Sequence, residues 1–155
     1  MKNLKHGIIS IILAGISFVI AFLSIIQLSN VAAFIYLALI LLGFISIIYS
    51  YCTKCEGRFN CAHVFIGKIA QVFPKRKDKG YSTFDYIGLL VPLVLIIGFP
   101  QYWLWKTPEL LIPFWILFIV SGLEIKKYVC VKCLNTKCVL CNKRGNCNPI
   151  FQAEK

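Results

Sequence analysis

Two adjacent stretches decide how this chain folds: Ile8-Ile-Ser-Ile-Ile-Leu-Ala-Gly-Ile-Ser-Phe-Val-Ile-Ala-Phe-Leu-Ser-Ile-Ile-Gln-Leu28 and Val31-Ala-Ala-Phe-Ile-Tyr-Leu-Ala-Leu-Ile-Leu-Leu-Gly-Phe-Ile-Ser-Ile-Ile-Tyr-Ser-Tyr51. Neither contains a charged residue. A helix of about 20 apolar residues crosses the hydrocarbon core of a bilayer, so each stretch predicts one transmembrane helix. Ser29-Asn30 between them is a tight polar break, which makes the pair an antiparallel hairpin. A signal peptide would have an apolar region of about 7–15 residues ending in a small-residue cleavage site. The first stretch is longer, and Val31-Ala32-Ala33 runs on into more apolar sequence, so an uncleaved helix is expected.

The same pattern recurs in the second half of the chain. Ser82-Thr-Phe-Asp85 has the spacing of a capping box and opens a third span, Tyr86 to Trp105. Pro92, Gly98, Pro100 and Gln101 interrupt that span, so it is expected to kink or to end near Pro100. Tyr102, Trp103 and Trp105 read as an interfacial aromatic belt. Lys106-Thr-Pro-Glu109 forms the far turn, and Leu110 to Ile125 the fourth span. This last span is short and contains Pro113; helix tilt and local bilayer thinning accommodate it. Glu124, near its end, is expected to pair with Lys127 or Tyr128. Gly15, Gly43 and Gly88 are expected where helices pack closely.

Composition agrees with this reading. Of 155 residues, 59% are hydrophobic and only 15% charged, with a mean hydropathy of +0.77. Soluble domains have roughly 45–50% apolar residues, so a soluble core of this length could not hide so much apolar surface. The expected fold class is all-α: four transmembrane helices as two hairpins with a cytoplasmic Cys-rich cap. The chain divides into a first transmembrane hairpin (1–51), a Cys-containing basic loop (52–84), a second hairpin (85–125) and a Cys-rich tail (126–155). Within the loop, Ala62, Phe65, Ile66, Ile69 and Phe73 recur at helical spacing. They predict a short amphipathic helix in the headgroup region, with Lys68 snorkelling toward phosphates.

Charge then sets the orientation. With four spans, both termini and the central loop share one side of the membrane. That side carries sixteen of the seventeen basic residues; only Lys106 falls opposite. The positive-inside rule places that side in the cytoplasm, so a multi-pass protein of the cell membrane with both termini cytoplasmic is expected. The same distribution accounts for the formal charge of +11 without a nucleic-acid partner, since no basic helix or aromatic RNA-binding pattern accompanies it. Anionic lipid headgroups are the expected contact for the basic loop.

All eight cysteines lie on the cytoplasmic side by this count. Cys52-Thr-Lys-Cys55 follows the second span, and Cys130-Val-Lys-Cys133 follows the fourth. Cys61 trails the first pair; Cys138, Cys141 and Cys147 trail the second. The cytoplasm keeps thiols reduced, so metal or redox roles are favoured over static disulfides. Two thiolates two residues apart grip one metal ion from a tight turn, and two such pairs complete a tetrahedral zinc site. Cys130, Cys133, Cys138 and Cys141 alone form a cramped set, because only four residues join the two pairs. A shared arrangement joins Cys52 and Cys55 to Cys130 and Cys133, leaving Cys138, Cys141, Cys147 and either Cys61 or His63 for a second site. Lys54, Lys132 and Lys137 would offset the thiolate charge. The rival is an iron–sulfur cluster, because Cys133-x4-Cys138-x2-Cys141 matches the ligand spacing of plant-type [2Fe–2S] ferredoxins. Reversible dithiol exchange is a further alternative.

Cys61-Ala-His63 could form a nucleophile and base, but it lacks a third orienting group, so a non-enzymatic role is expected. The spans carry no central charge of the kind that ion conduction and proton relay use and no polar ligand path, which leaves a metal transporter or sensor as the third reading. Two function classes follow: a zinc-type, metal-stabilised membrane module that docks a cytoplasmic protein or another copy of itself, and a membrane-bound electron-transfer protein.

Overall fold

The computed structural model describes residues 2–55, 59, 61, 63–76 and 81–130. The described residues form helices and connecting turns, with no strand among them. In chain order these are α1 (Lys2–Ile26), α2 (Asn30–Ser50), α3 (Val64–Val72), α4 (Thr83–Gly98), α5 (Gln101–Leu104) and α6 (Pro108–Glu124). A 3-10 turn, Cys52–Lys54, extends α2, and a π-helical turn, Ile125–Val129, extends α6. Among the described residues, four segments are long and apolar enough to cross a membrane: Lys5–Ile26, Asn30–Lys54, Thr83–Leu104 and Pro108–Val129.

The helix ends follow local chemistry. Ser29 caps α2, its Oγ accepting from the Ala32 N–H at 3.3 Å. At the start of α4 the Ser82 N–H donates to Asp85 Oδ2 at 2.7 Å, the return half of a capping box. Pro108 lies in the first turn of α6, where its missing N–H costs nothing.

The third span breaks at Phe99-Pro100 and resumes as α5, with the Pro100 carbonyl accepting from Trp103 and Leu104. Gln101 Nε2 donates to the Ile97 carbonyl at 2.7 Å, so the break leaves that carbonyl satisfied. Pro92 poses the same problem within α4, since it cannot donate to the Gly88 carbonyl four residues back. Ser46 of α2 donates instead, its Oγ 3.0 Å from that carbonyl. This is how a membrane helix tolerates proline: a neighbour supplies the missing donor.

The closest packing runs between the two halves of the chain, α1 against α6 and α2 against α4. Both pairs run antiparallel. Along α1 and α6, Ser24 meets Thr107 (Oγ to Oγ1 2.7 Å), Phe18 meets Phe118, and Ser121 Oγ donates to the Ser10 carbonyl at 2.9 Å. Along α2 and α4, Tyr36 stacks on Phe99, Gly43 faces Ile96 and Pro92, and Gly88 faces Ser50.

Small residues make these approaches close, since packing rather than hydrophobic burial holds helices together in lipid. Ser10, Ser17 and Ser24 are fully buried at heptad spacing on α1. Gly43 and Gly88 sit at close contacts as expected, but Gly15 does not: a Cβ there would meet nothing within 4 Å. The serine row, not Gly15, is the contact seam of α1. All four spans contribute to one core around Ala21, Ile25, Ala33, Tyr36, Ile96, Leu104 and Phe114.

Candidate functional site

At one end of the bundle the chain leaves α2, starts α3, enters α4 and leaves α6. The described cysteines, Cys52, Cys55, Cys61 and Cys130, all lie at this end, as does His63, and all five are half-buried.

The first pair is set on the turn that closes α2. The Cys55 N–H donates to the Cys52 carbonyl at 3.2 Å. Between them, buried Thr53 donates from Oγ1 to the Tyr49 carbonyl at 2.6 Å, tying the turn to the helix before it. Lys54 runs inward. Its Nζ lies 2.6 Å from Asp85 Oδ2, with the two side chains 4% and 2% exposed. Arg76 Nη1 lies 3.1 Å from Asp85 Oδ1, and Ser82 Oγ donates to Oδ2 at 2.7 Å.

Aromatic rings surround this cluster. Arg76 sits over the Tyr49 ring at 5.3 Å, Tyr49 meets Phe73 edge-on, Tyr51 stacks on Tyr81 at 4.4 Å, and Tyr81 approaches Tyr86. A carboxylate buried at this depth is stable only when its charge is paired and its lone pairs are met. Lys54, Arg76 and Ser82 meet both conditions for Asp85. Sequence reasoning saw Asp85 only as a capping residue and Lys54 only as a counter-charge to thiolates. Their pairing joins residues 31 positions apart, which no local pattern reveals.

The second corner joins α1 to the end of α6. His6 Nδ1 donates to Glu124 Oε2 at 3.0 Å, and the His6 ring stacks on Tyr128 at 4.2 Å. Glu124 therefore pairs with His6 rather than with the expected Lys127 or Tyr128; Lys127 instead lies over the Tyr128 ring. The reason is helix packing: antiparallel α1 delivers its first turns beside the last turn of α6. The π-helical turn follows Glu124 and leads into Cys130.

His63 lies 3.3 Å through Nδ1 from the Gly7 carbonyl. A carbonyl only accepts, so Nδ1 carries the proton and Nε2 keeps its lone pair. That is the tautomer in which a histidine offers Nε2 to a metal while a backbone carbonyl orients its ring. Burial pushes the His63 pKa down, and the Gly7 carbonyl only partly opposes it. The imidazole is thus kept neutral, as metal ligation requires. The α3 helix that His63 opens turns Gly67 and Ala70 inward, with Ile66, Ile69 and Phe73 half-buried. Phe65 of the same helix is 65% exposed, open to a lipid surface.

Cys133, Cys138, Cys141 and Cys147 lie outside the described residues, as do Lys132 and Lys137. Among the described residues, no three His, Cys, Asp or Glu side chains come together as a metal-binding group. Family models, curated proteins and solved structures yield no match to this chain.

Proposed function

We propose that this chain is a multi-pass membrane protein whose thiol-bearing end binds a zinc-type metal ion, and that the metal-tied end is a docking platform for a cytoplasmic partner. In this reading the spans form two hairpins, both termini are cytoplasmic, and the loop and the cysteine-rich tail make one cap. The observation that supports it is that Cys52, Cys55, Cys61, His63 and Cys130, from both halves of the chain, lie at the same end of the bundle, although no three of them come together as a metal-binding group. The matching Cys-x-Lys-Cys at the exits of the second and fourth spans supports shared ligation across those halves. The orientation of the His63 ring supports nitrogen ligation by Nε2. A docking role is favoured over catalysis by the basic character of this end and by a sequence in which Cys61-Ala-His63 has no third orienting group. An iron–sulfur or dithiol relay is the alternative, favoured by the spacing of Cys133, Cys138 and Cys141.

Anaerobic purification in detergent tests the proposal through visible absorbance and metal analysis. A colourless protein with stoichiometric zinc supports the docking module. A brown protein with stoichiometric iron and sulfide replaces it with electron transfer. Metal-free protein with reactive thiols leaves dithiol exchange.

A further inference from the structure

The turn carrying Cys52 and Cys55 is only three residues of 3-10 helix and the residue after it. The Cys55-to-Cys52 backbone hydrogen bond and the Thr53 hydroxyl are among the contacts that hold it. A support from outside the turn comes through the residue between the two thiols: the Lys54 side chain passes inward to Asp85 in the first turn of α4. Asp85 is itself fixed, since Oδ2 also accepts from the backbone N–H and the hydroxyl of Ser82, and Oδ1 from Arg76. The carboxylate is thus an immobile post rather than a mobile surface partner.

We infer that Asp85 is the positioning residue of the thiol pair: by gripping Lys54 it locks the Cys52–Cys55 turn to the third span. Asp85 touches no ligand atom and acts only through Lys54. The inference rests on the reading of Cys52 and Cys55 as metal ligands and gives that site a support from an element that contributes no thiol. It also makes the third span sensitive to the state of the site, because any movement of the turn pulls on the first turn of α4. Groups that orient metal ligands from behind are worth about 10–100-fold in metal affinity.

The test uses the full chain in detergent. Zinc affinity is measured by chelator competition on the wild type, Asp85→Asn, Lys54→Met and Lys54→Arg. In parallel, N-ethylmaleimide labelling of the metal-free proteins is followed cysteine by cysteine with mass spectrometry. Asp85→Asn and Lys54→Met are expected to weaken zinc binding about 10–100-fold and to speed labelling of Cys52 and Cys55 severalfold, leaving Cys130 at its wild-type rate. Lys54→Arg, which keeps a cation, is expected to stay near wild type. Unchanged labelling of Cys52 and Cys55 in both variants overturns the inference. So does equal acceleration at Cys130, which assigns Asp85 to the fold as a whole. If the wild type binds no zinc but the labelling contrast holds, the metal reading fails and the positioning role stands.

Discussion

Ser46 Oγ donates across the helix interface to the Gly88 carbonyl at 3.0 Å, the same carbonyl that Pro92 cannot reach. A hydroxyl on one span thereby repairs the backbone of another. Ser46→Ala is expected to lower stability by about 1 kcal/mol, in the range of interhelical hydrogen bonds in membranes. In a Pro92→Ala background the backbone N–H returns, and Ser46→Ala is expected to cost much less. A double-mutant cycle on unfolding in detergent measures the difference, and additive effects would refute the repair.

The three glycines separate cleanly. Gly88→Ala places a Cβ against Ser50, whose own Cβ would be 2.9 Å away, and is expected to destabilise the bundle by about 1–3 kcal/mol through overpacking. Gly43→Ala meets the mobile end of Ile96 at 2.7 Å and is expected to cost less. Gly15→Ala meets nothing and is expected to stabilise by roughly 0.5–1 kcal/mol through helix propensity. Unfolding midpoints should rank the variants in that order.

Ser17 is the middle of the serine row, fully buried, with its hydroxyl bonded back to Ala14 of its own helix. Its smallness, not an interhelical bond, is what the α1–α6 contact uses. Ser17→Ala should therefore be nearly neutral, while Ser17→Leu should separate α1 from α6. Cross-linking between cysteines introduced at Ser10 and Ser121 reads this directly: efficient in Ser17→Ala, lost in Ser17→Leu.

His63 has its pKa lowered from 6.5 by burial. His63 released to solvent binds a proton more readily than His63 in place against the Gly7 carbonyl, so the attachment of α3 to the bundle gains stability as pH rises through this window. The contribution is complete above about 6.5 and is lost as pH falls through the lowered value. Hydrogen exchange of the α3 amides, corrected for intrinsic rate, should show protection decreasing below that pH. His63→Gln should flatten the dependence; an unaltered profile in that variant would place the titration elsewhere.

The proposed sidedness has its own measurement. An impermeant maleimide added to intact cells should leave Cys55 and Cys133 unlabelled and react with them only after permeabilisation. Labelling in intact cells would reverse the orientation and remove the reducing environment on which metal binding depends.

The spans themselves were legible in one dimension, because about 20 uncharged residues in a row are a property of local composition. The boundaries at Ser29, Ser82 and Pro100 were legible too, since capping and proline chemistry act within a few residues. So was the placing of the described thiols at one end, which follows from how many times the chain crosses between them. What the linear order could not decide is partnership. That α1 packs on α6, that serines rather than Gly15 make its seam, that Glu124 bonds His6, and that Lys54 reaches Asp85 all depend on which helix faces lie together. In lipid no apolar stripe marks that choice, because the outside of the bundle is as hydrophobic as its core. Only the folded bundle, through close fit and the need of every buried polar group for a partner, makes it.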